Sequence, residues 1–137
     1  MIDRDYLEQV FGSVEIEQLA GGPDGDAAAD SRVDDAIALA TDEANSRLSP
    51  RYSTPITNAP REVQEHVAHL ARARLYPTSL PEYVAEQRTQ ARSYLDQAAS
   101  GRREILGLTP RNRGRVSIYG KRGRRDRDMT RESLEGM

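Results

Sequence analysis

Apolar positions recur every three or four residues through most of the first hundred, the spacing of helices with one buried face. Ile2, Tyr6, Leu7, Val10 and Phe11 form a short amphipathic stretch that stops at Gly12. Ser13 reads as the cap of a second helix carrying Val14, Ile16 and Leu19 and ended by Gly21-Gly22-Pro23. A loop of Asp, Gly and Ala runs to Asp30. Ser31-Arg32-Val33-Asp34 resembles a capping box with Asp in the Glu position, and predicts a long helix buried along Val33, Ile37, Ala40, Ala44 and Leu48. Pro50, Pro55 and Pro60 forbid a continuous helix over residues 49–60, which are expected to be extended. Pro60 suits the first position of a helix with Val63, Val67, Leu70 and Ala71 on its face, ending near Tyr76-Pro77. Pro81 starts the last long helix, with Val84, Ala91, Leu95 and Ala98 on one side and Gly101 as its stop. So much alanine on these faces implies close helix approach and modest burial per residue.

After Leu108 the pattern fails. Residues 109–137 hold three of the chain's 25 Leu, Ile, Val and Phe residues and nine basic ones, with Gly114, Gly120 and Gly123 between them. Such a segment cannot offset its own ordering entropy and is expected to be mobile when alone. Arg115-Val116-Ser117-Ile118-Tyr119 alternates with period two, so it is a candidate strand for addition to a partner's sheet edge. The expectation is an all-α fold, a small helical bundle of four to five helices with an extended Pro-rich linker. A helical body over 1–108 is followed by a flexible basic arm over 109–137, ordered only on docking and holding one short candidate β-strand.

Composition narrows the picture. The 25 large apolar residues make a thin core for 137 residues, which favours association. Without cysteine, disulfides and thiolate metal sites are excluded. Asp3, Arg4 and Asp5 at the start and the lack of a long apolar run predict no signal peptide, no membrane span and synthesis in the cytosol. Charge then divides the chain. Residues 1–100 carry 17 acidic and 9 basic residues, and residues 101–137 carry 5 and 11, so a formal net charge of −2 hides about −8 against +6. Arginine outnumbers lysine 19 to one, which GC-rich codon usage explains as well as recognition does.

Candidate chemistry is sparse. Asp24, Asp26 and Asp30 invite a calcium loop, but an EF-hand register from Asp24 puts Ala28 and Ala29 at its fifth and sixth positions and the short Asp35 at its twelfth. His66 and His69, with Glu62 and Glu65 nearby, share one helix turn without a recognisable third ligand, and read as ordinary helix-surface residues. Neither is expected to bind metal, and no cofactor is expected. No nucleophile elbow, nucleotide-binding glycine pattern or paired carboxylate points to an enzyme. The basic tail offers sequence-blind phosphate neutralisation, docking on an acidic protein, or a merely solvated end.

Arg51-Tyr52-x-x-Pro55-Ile56, then Pro60, then Ala68-x-x-Ala71-Arg72-x-Arg74-Leu75-Tyr76 resemble the small head–tail connector, or adaptor, proteins of tailed phages, in particular the phage Mu-type group. Tyr6-Leu7-x-x-x-Phe11-Gly12, Ile16-x-x-Leu19, the Asp-rich loop and Tyr94-Leu95-x-x-Ala98-x-x-Gly101 extend the likeness over about residues 1–108. The resemblance implies a non-enzymatic helical subunit of a homo-oligomeric ring, typically of twelve copies, at the head–tail junction of the virion. That ring would lie beneath the portal protein, extend the channel through which viral DNA passes without specific binding, and present a surface to a tail or stopper protein. Arg51, Tyr52, Pro55, Pro60, Ala71, Arg72, Arg74, Leu75 and Tyr76 would be structural positions of the motif. Beside it, the basic segment reads as a docking arm through Arg111, Arg113, Arg115, Val116, Ile118, Tyr119, Arg122, Arg124 and Arg125. The competing expectation is a small nucleic-acid-binding phage protein that uses the same arginines.

Overall fold

The computed structural model describes residues 1–21 and 26–111, apart from the side chains of Asp26 and Ala27. They form five helices: α1 (Arg4–Phe11), α2 (Ser13–Ala20), α3 (Asp26–Leu48), α4 (Arg61–Arg74) and α5 (Glu82–Ser100). No strand occurs among the described residues, only an isolated antiparallel bridge between Tyr52 and Pro110. The all-α class read from periodicity is the one observed. Helices α3, α4 and α5 pack on one another, and the α1–α2 pair lies across α3 and α4.

The faces expected of the three long helices are the buried ones, whereas of those named for α1 and α2 only Leu7 and Ile16 are buried and Val10 and Val14 are exposed. Val33, Ile37, Ala40, Ala44 and Leu48 of α3 meet Val63, Val67, Leu70 and Ala71 of α4, and Ala91, Leu95 and Ala98 of α5 close the core. Ten of the 25 buried apolar residues among those described are alanine, so the helices approach closely and each contact buries little.

Helix starts differ from expectation. Ser13 is not a cap: Gly12, at φ 96°, ends α1 and begins α2, its N–H donating to the Glu8 carbonyl (2.8 Å) and its carbonyl accepting from the Ile16 N–H (3.3 Å). Ser31 does not open α3 either, because that helix starts at Asp26. The Ala27-Ala28-Ala29 run is a strong helix former, and buried Ala29 continues the Val33 stripe one turn earlier. Pro60 and Pro81 stand one residue before α4 and α5, with extended ψ, and their carbonyls accept the first bonds from Gln64 and Ala85. Gly101 ends α5 in the left-handed conformation, as its position implies.

The Pro-rich linker is non-helical and contains a cis Thr54–Pro55 bond. Asn45 of α3 ties it down by accepting from the Ile56 N–H at 3.1 Å. Beyond Leu108 the chain pairs with this linker, the Arg111 N–H donating to the Arg51 carbonyl at 2.6 Å. The strand expected at Arg115–Tyr119, and arm residues Arg113, Arg122, Arg124 and Arg125, lie outside the described residues.

Candidate docking surface

Of the charged side chains of the motif, Arg72 is buried, Arg51 half-buried and Arg74 exposed. Arg72 on α4 is 6% exposed. Its guanidinium donates to Glu15 of α2 at 3.0 Å and to Gln87 of α5, and lies 4.0 Å from the Phe11 ring centroid and 5.6 Å from that of Tyr83. One arginine thereby joins α1, α2, α4 and α5. Arg74, a turn end away, donates to Glu43 of α3 at 3.0 Å. Glu43 also accepts from Arg92 of α5 at 2.6 Å and from Arg47 at 3.0 Å, and Arg47 continues to Asp96 at 2.9 Å. Burial disfavours the charged Glu43, but the bonds from Arg92, Arg47 and Arg74 outweigh it and lower its pKa to about 2.

The other motif positions pack or shape the chain. Tyr52, Ala71 and Leu75 are buried, Pro55 carries the cis bond and Pro60 precedes α4. Arg51 lies 6.0 Å from the Tyr52 ring and under Gly101, where an added Cβ would meet its guanidinium at 2.8 Å. Arg111 is exposed and its side chain donates to the Ser49 carbonyl at 2.9 Å, so it is tied to its own body.

The histidines are half-buried rather than ordinary surface residues, each ring lying against an aromatic ring of a neighbouring helix. The His66 ring stacks on Tyr94 of α5 at 4.1 Å, and the His69 ring stands edge-on to Phe11 of α1 at 5.4 Å. Burial lowers both pKa values, although Glu62 and Glu65 act against it at His66 and Glu65 at His69. Burial, with Glu62 adding to it, raises that of Tyr94. No group of three metal-ligating side chains occurs among the described residues. Asp26 and Asp30 lie on α3, not in a loop, and Asp30 accepts from Arg4.

Apolar surface is left open at one end of the bundle. A groove of about 670 Å³ runs between α2, the first half of α3 and the end of α4, lined by Leu19, Ala36, Leu39, Leu75, Tyr76 and Pro77 among others. Leu39 within it is 51% exposed. A second groove shares Gln18, Leu19 and Tyr76 and adds Val14 and Tyr83, 65% and 55% exposed, so the two make one continuous face. Periodicity could not find this face: Leu39 falls off the buried stripe of α3, and Val14, expected among the apolar positions of α2, is exposed instead, so the face is assembled only by the tertiary fold.

The described residues therefore define a small all-α protein whose motif side chains bind its own helices together and whose open surface is an apolar face. The family described as Bacteriophage Mu, Gp36 matches residues 2–115, and the chain belongs to that family. A comparison with curated proteins finds no match. No helix among the described residues is long and apolar enough to cross a membrane.

Proposed function

We propose that the protein is a structural component of the virion, a connector subunit that assembles with itself into a ring at the head–tail junction. It docks on the portal protein, continues the DNA channel and offers its far side to a tail or stopper protein, and it catalyses no reaction. The observation that carries this reading is membership of a phage Mu family by a chain whose motif residues serve internal packing. The open apolar face supports it, since a thin core is completed by burial against neighbours. So does the charge pattern: five of the nine arginines in residues 1–100 are held in ion pairs within the body, while Glu17, Asp34, Asp42, Glu62, Glu82 and Glu86 are exposed. Unpaired negative charge suits a wall along which DNA slides without sticking.

The test is to mix the full chain with its cognate portal and measure the mass of the product. One ring of copies added per portal is expected, and deletion of residues 109–137 should abolish joining. Two partners that stay separate at high concentration would overturn the reading, and portal binding retained by the truncated chain would overturn the docking role of the arm. The basic arm favours one rival, a nucleic-acid-binding protein. It predicts DNA affinity that falls with salt at a log–log slope of about −0.9 per phosphate contacted, and no binding at low salt removes it.

A further inference from the structure

A ring is built by one heterologous contact used repeatedly, in which a patch on each copy meets a different patch on the next. Resting on the ring reading above, the contact requires two unlike and complementary features on separate parts of the surface. The groove floored by Leu19, Leu39 and Tyr76 is one. The other is Leu106, 81% exposed in the turn that follows α5, the most exposed large apolar side chain among the described residues.

The two stand at opposite ends of α4. Gly107, beside Leu106, faces Pro60 at the start of that helix, where an added Cβ would lie 3.4 Å from the proline ring. The groove includes Ala73 to Pro77 at its other end. Fourteen residues at 1.5 Å each separate them by about 20 Å, so no copy can fill its own groove with its own Leu106.

Charge complements shape. At the groove, Arg32 donates to the Ala20 carbonyl and Arg74 to Glu43, which leaves Asp35 as an exposed carboxylate with no ion pair among the described residues. In the turn, Arg102 is exposed, and its side chain makes no ion pair among the described residues, donating there to its neighbour Ser100 at 3.4 Å. A volume of about 670 Å³ is ample for the projecting Leu106 side chain.

We propose that the turn around Leu106 of one copy seats in the Leu19–Leu39–Tyr76 groove of the next, with Arg102 of the first against Asp35 of the second. The contact is directional, so it propagates around a ring and leaves the arm free for the portal.

The experiment measures the mass of the full-length chain over a concentration series, with Leu106→Asp, Leu39→Asp and their equimolar mixture. Both positions are exposed, so helical circular dichroism should be unchanged. Each variant alone should remain a monomer, and the mixture should give a dimer and nothing larger, because it has one intact knob and one intact groove. Asp35→Arg should weaken assembly at least tenfold, and adding Arg102→Asp should restore it. A wild-type oligomer that survives Leu106→Asp or Leu39→Asp would overturn this contact while the ring reading stands. Assembly lost on deleting residues 112–137 but kept in Leu39→Asp would assign the contact to the arm and overturn it too. A wild-type chain that is monomeric at every concentration would instead remove the solution ring, and this contact with it.

Discussion

Glu43 brings three guanidiniums from three stretches of chain to one carboxylate whose side chain is 13% exposed. Removing its charge leaves Arg47, Arg74 and Arg92 crowded together without a shared counter-ion, so Glu43→Gln should cost about 1–3 kcal/mol in urea unfolding. The arginines themselves are about a third exposed, which keeps the cost below that of a fully buried pair. The pH dependence has a definite sign. The folded pKa of about 2 lies below the ordinary 4.5, so this stability is present above 4.5 and is lost as pH falls towards 2. The Gln variant should therefore show a shallower acid limb than wild type, and identical limbs would show that Glu43 is not the anchor. Arg72 makes a harder demand, since it needs a planar fork for Glu15 and Gln87 and a flat face for Phe11. Lysine keeps the charge and loses that geometry, so Arg72→Lys should cost about 2 kcal/mol by the same measurement. Of these contacts only Glu43–Arg47 has the four-residue spacing of a helix turn, and none of them stood out in the sequence. Arg74 and Arg92 reach Glu43 from 31 and 49 residues away, and no local pattern encodes that.

The faces of the three long helices were legible, whereas the two short helices, with few core contacts, left Val10 and Val14 of their expected apolar positions exposed. Helix starts were not legible, and the reason is physical. A buried stripe is enforced by the whole core, whereas a cap competes with the residues just before it. Three alanines outbid Ser31, and Gly12 serves two helices at once where a capping serine was expected. The Gly12 corner gives a clean test, because an added Cβ there would meet nothing within 4 Å and only the backbone at φ 96° resists it. Gly12→Ala should cost about 1–2 kcal/mol in thermal or urea unfolding through strain alone. No change in midpoint would mean the corner relaxes freely. The seams of α4 carry a second prediction. His66 and His69 have folded pKa values below 6.5, so between those values and 6.5 the unfolded chain binds more protons. Their contribution is fully present above pH 6.5 and is lost as pH falls through that window. The groups facing them are Tyr94, Glu62, Glu65 and Arg103 around His66, and Phe11, Arg72 and Glu65 around His69. Stability measured from pH 7.5 to 5 should decline in wild type and stay flatter in His66→Gln/His69→Gln. Equal slopes would show that the rings titrate as they do in the unfolded chain.

For the whole molecule, sequence resemblance reached the family and the all-α class but stopped at about Leu108, where helical periodicity ends. The fold carries ordered contacts further. Pro110 bridges Tyr52, and Arg111 donates through its backbone to the Arg51 carbonyl and through its side chain to the Ser49 carbonyl. No apolar pattern marks these contacts, because they run through main-chain groups and one arginine side chain rather than through apolar burial. The family match likewise continues past them, to residue 115. Residues 109–111 therefore act as a latch that fastens the end of the body to the linker between α3 and α4. Two truncations separate latch from arm. A chain ending after Arg111 keeps both bonds and should unfold at the same urea midpoint as the full chain. A chain ending after Leu108 loses two hydrogen bonds, each contributing roughly 0.5–1.5 kcal/mol, and should be less stable by about 1–2 kcal/mol. Arg111→Ala in the full chain should account for only the side-chain share of that loss, since its backbone N–H remains. Equal midpoints for the two truncations would show that the latch adds nothing, and would return the boundary of the body to Leu108.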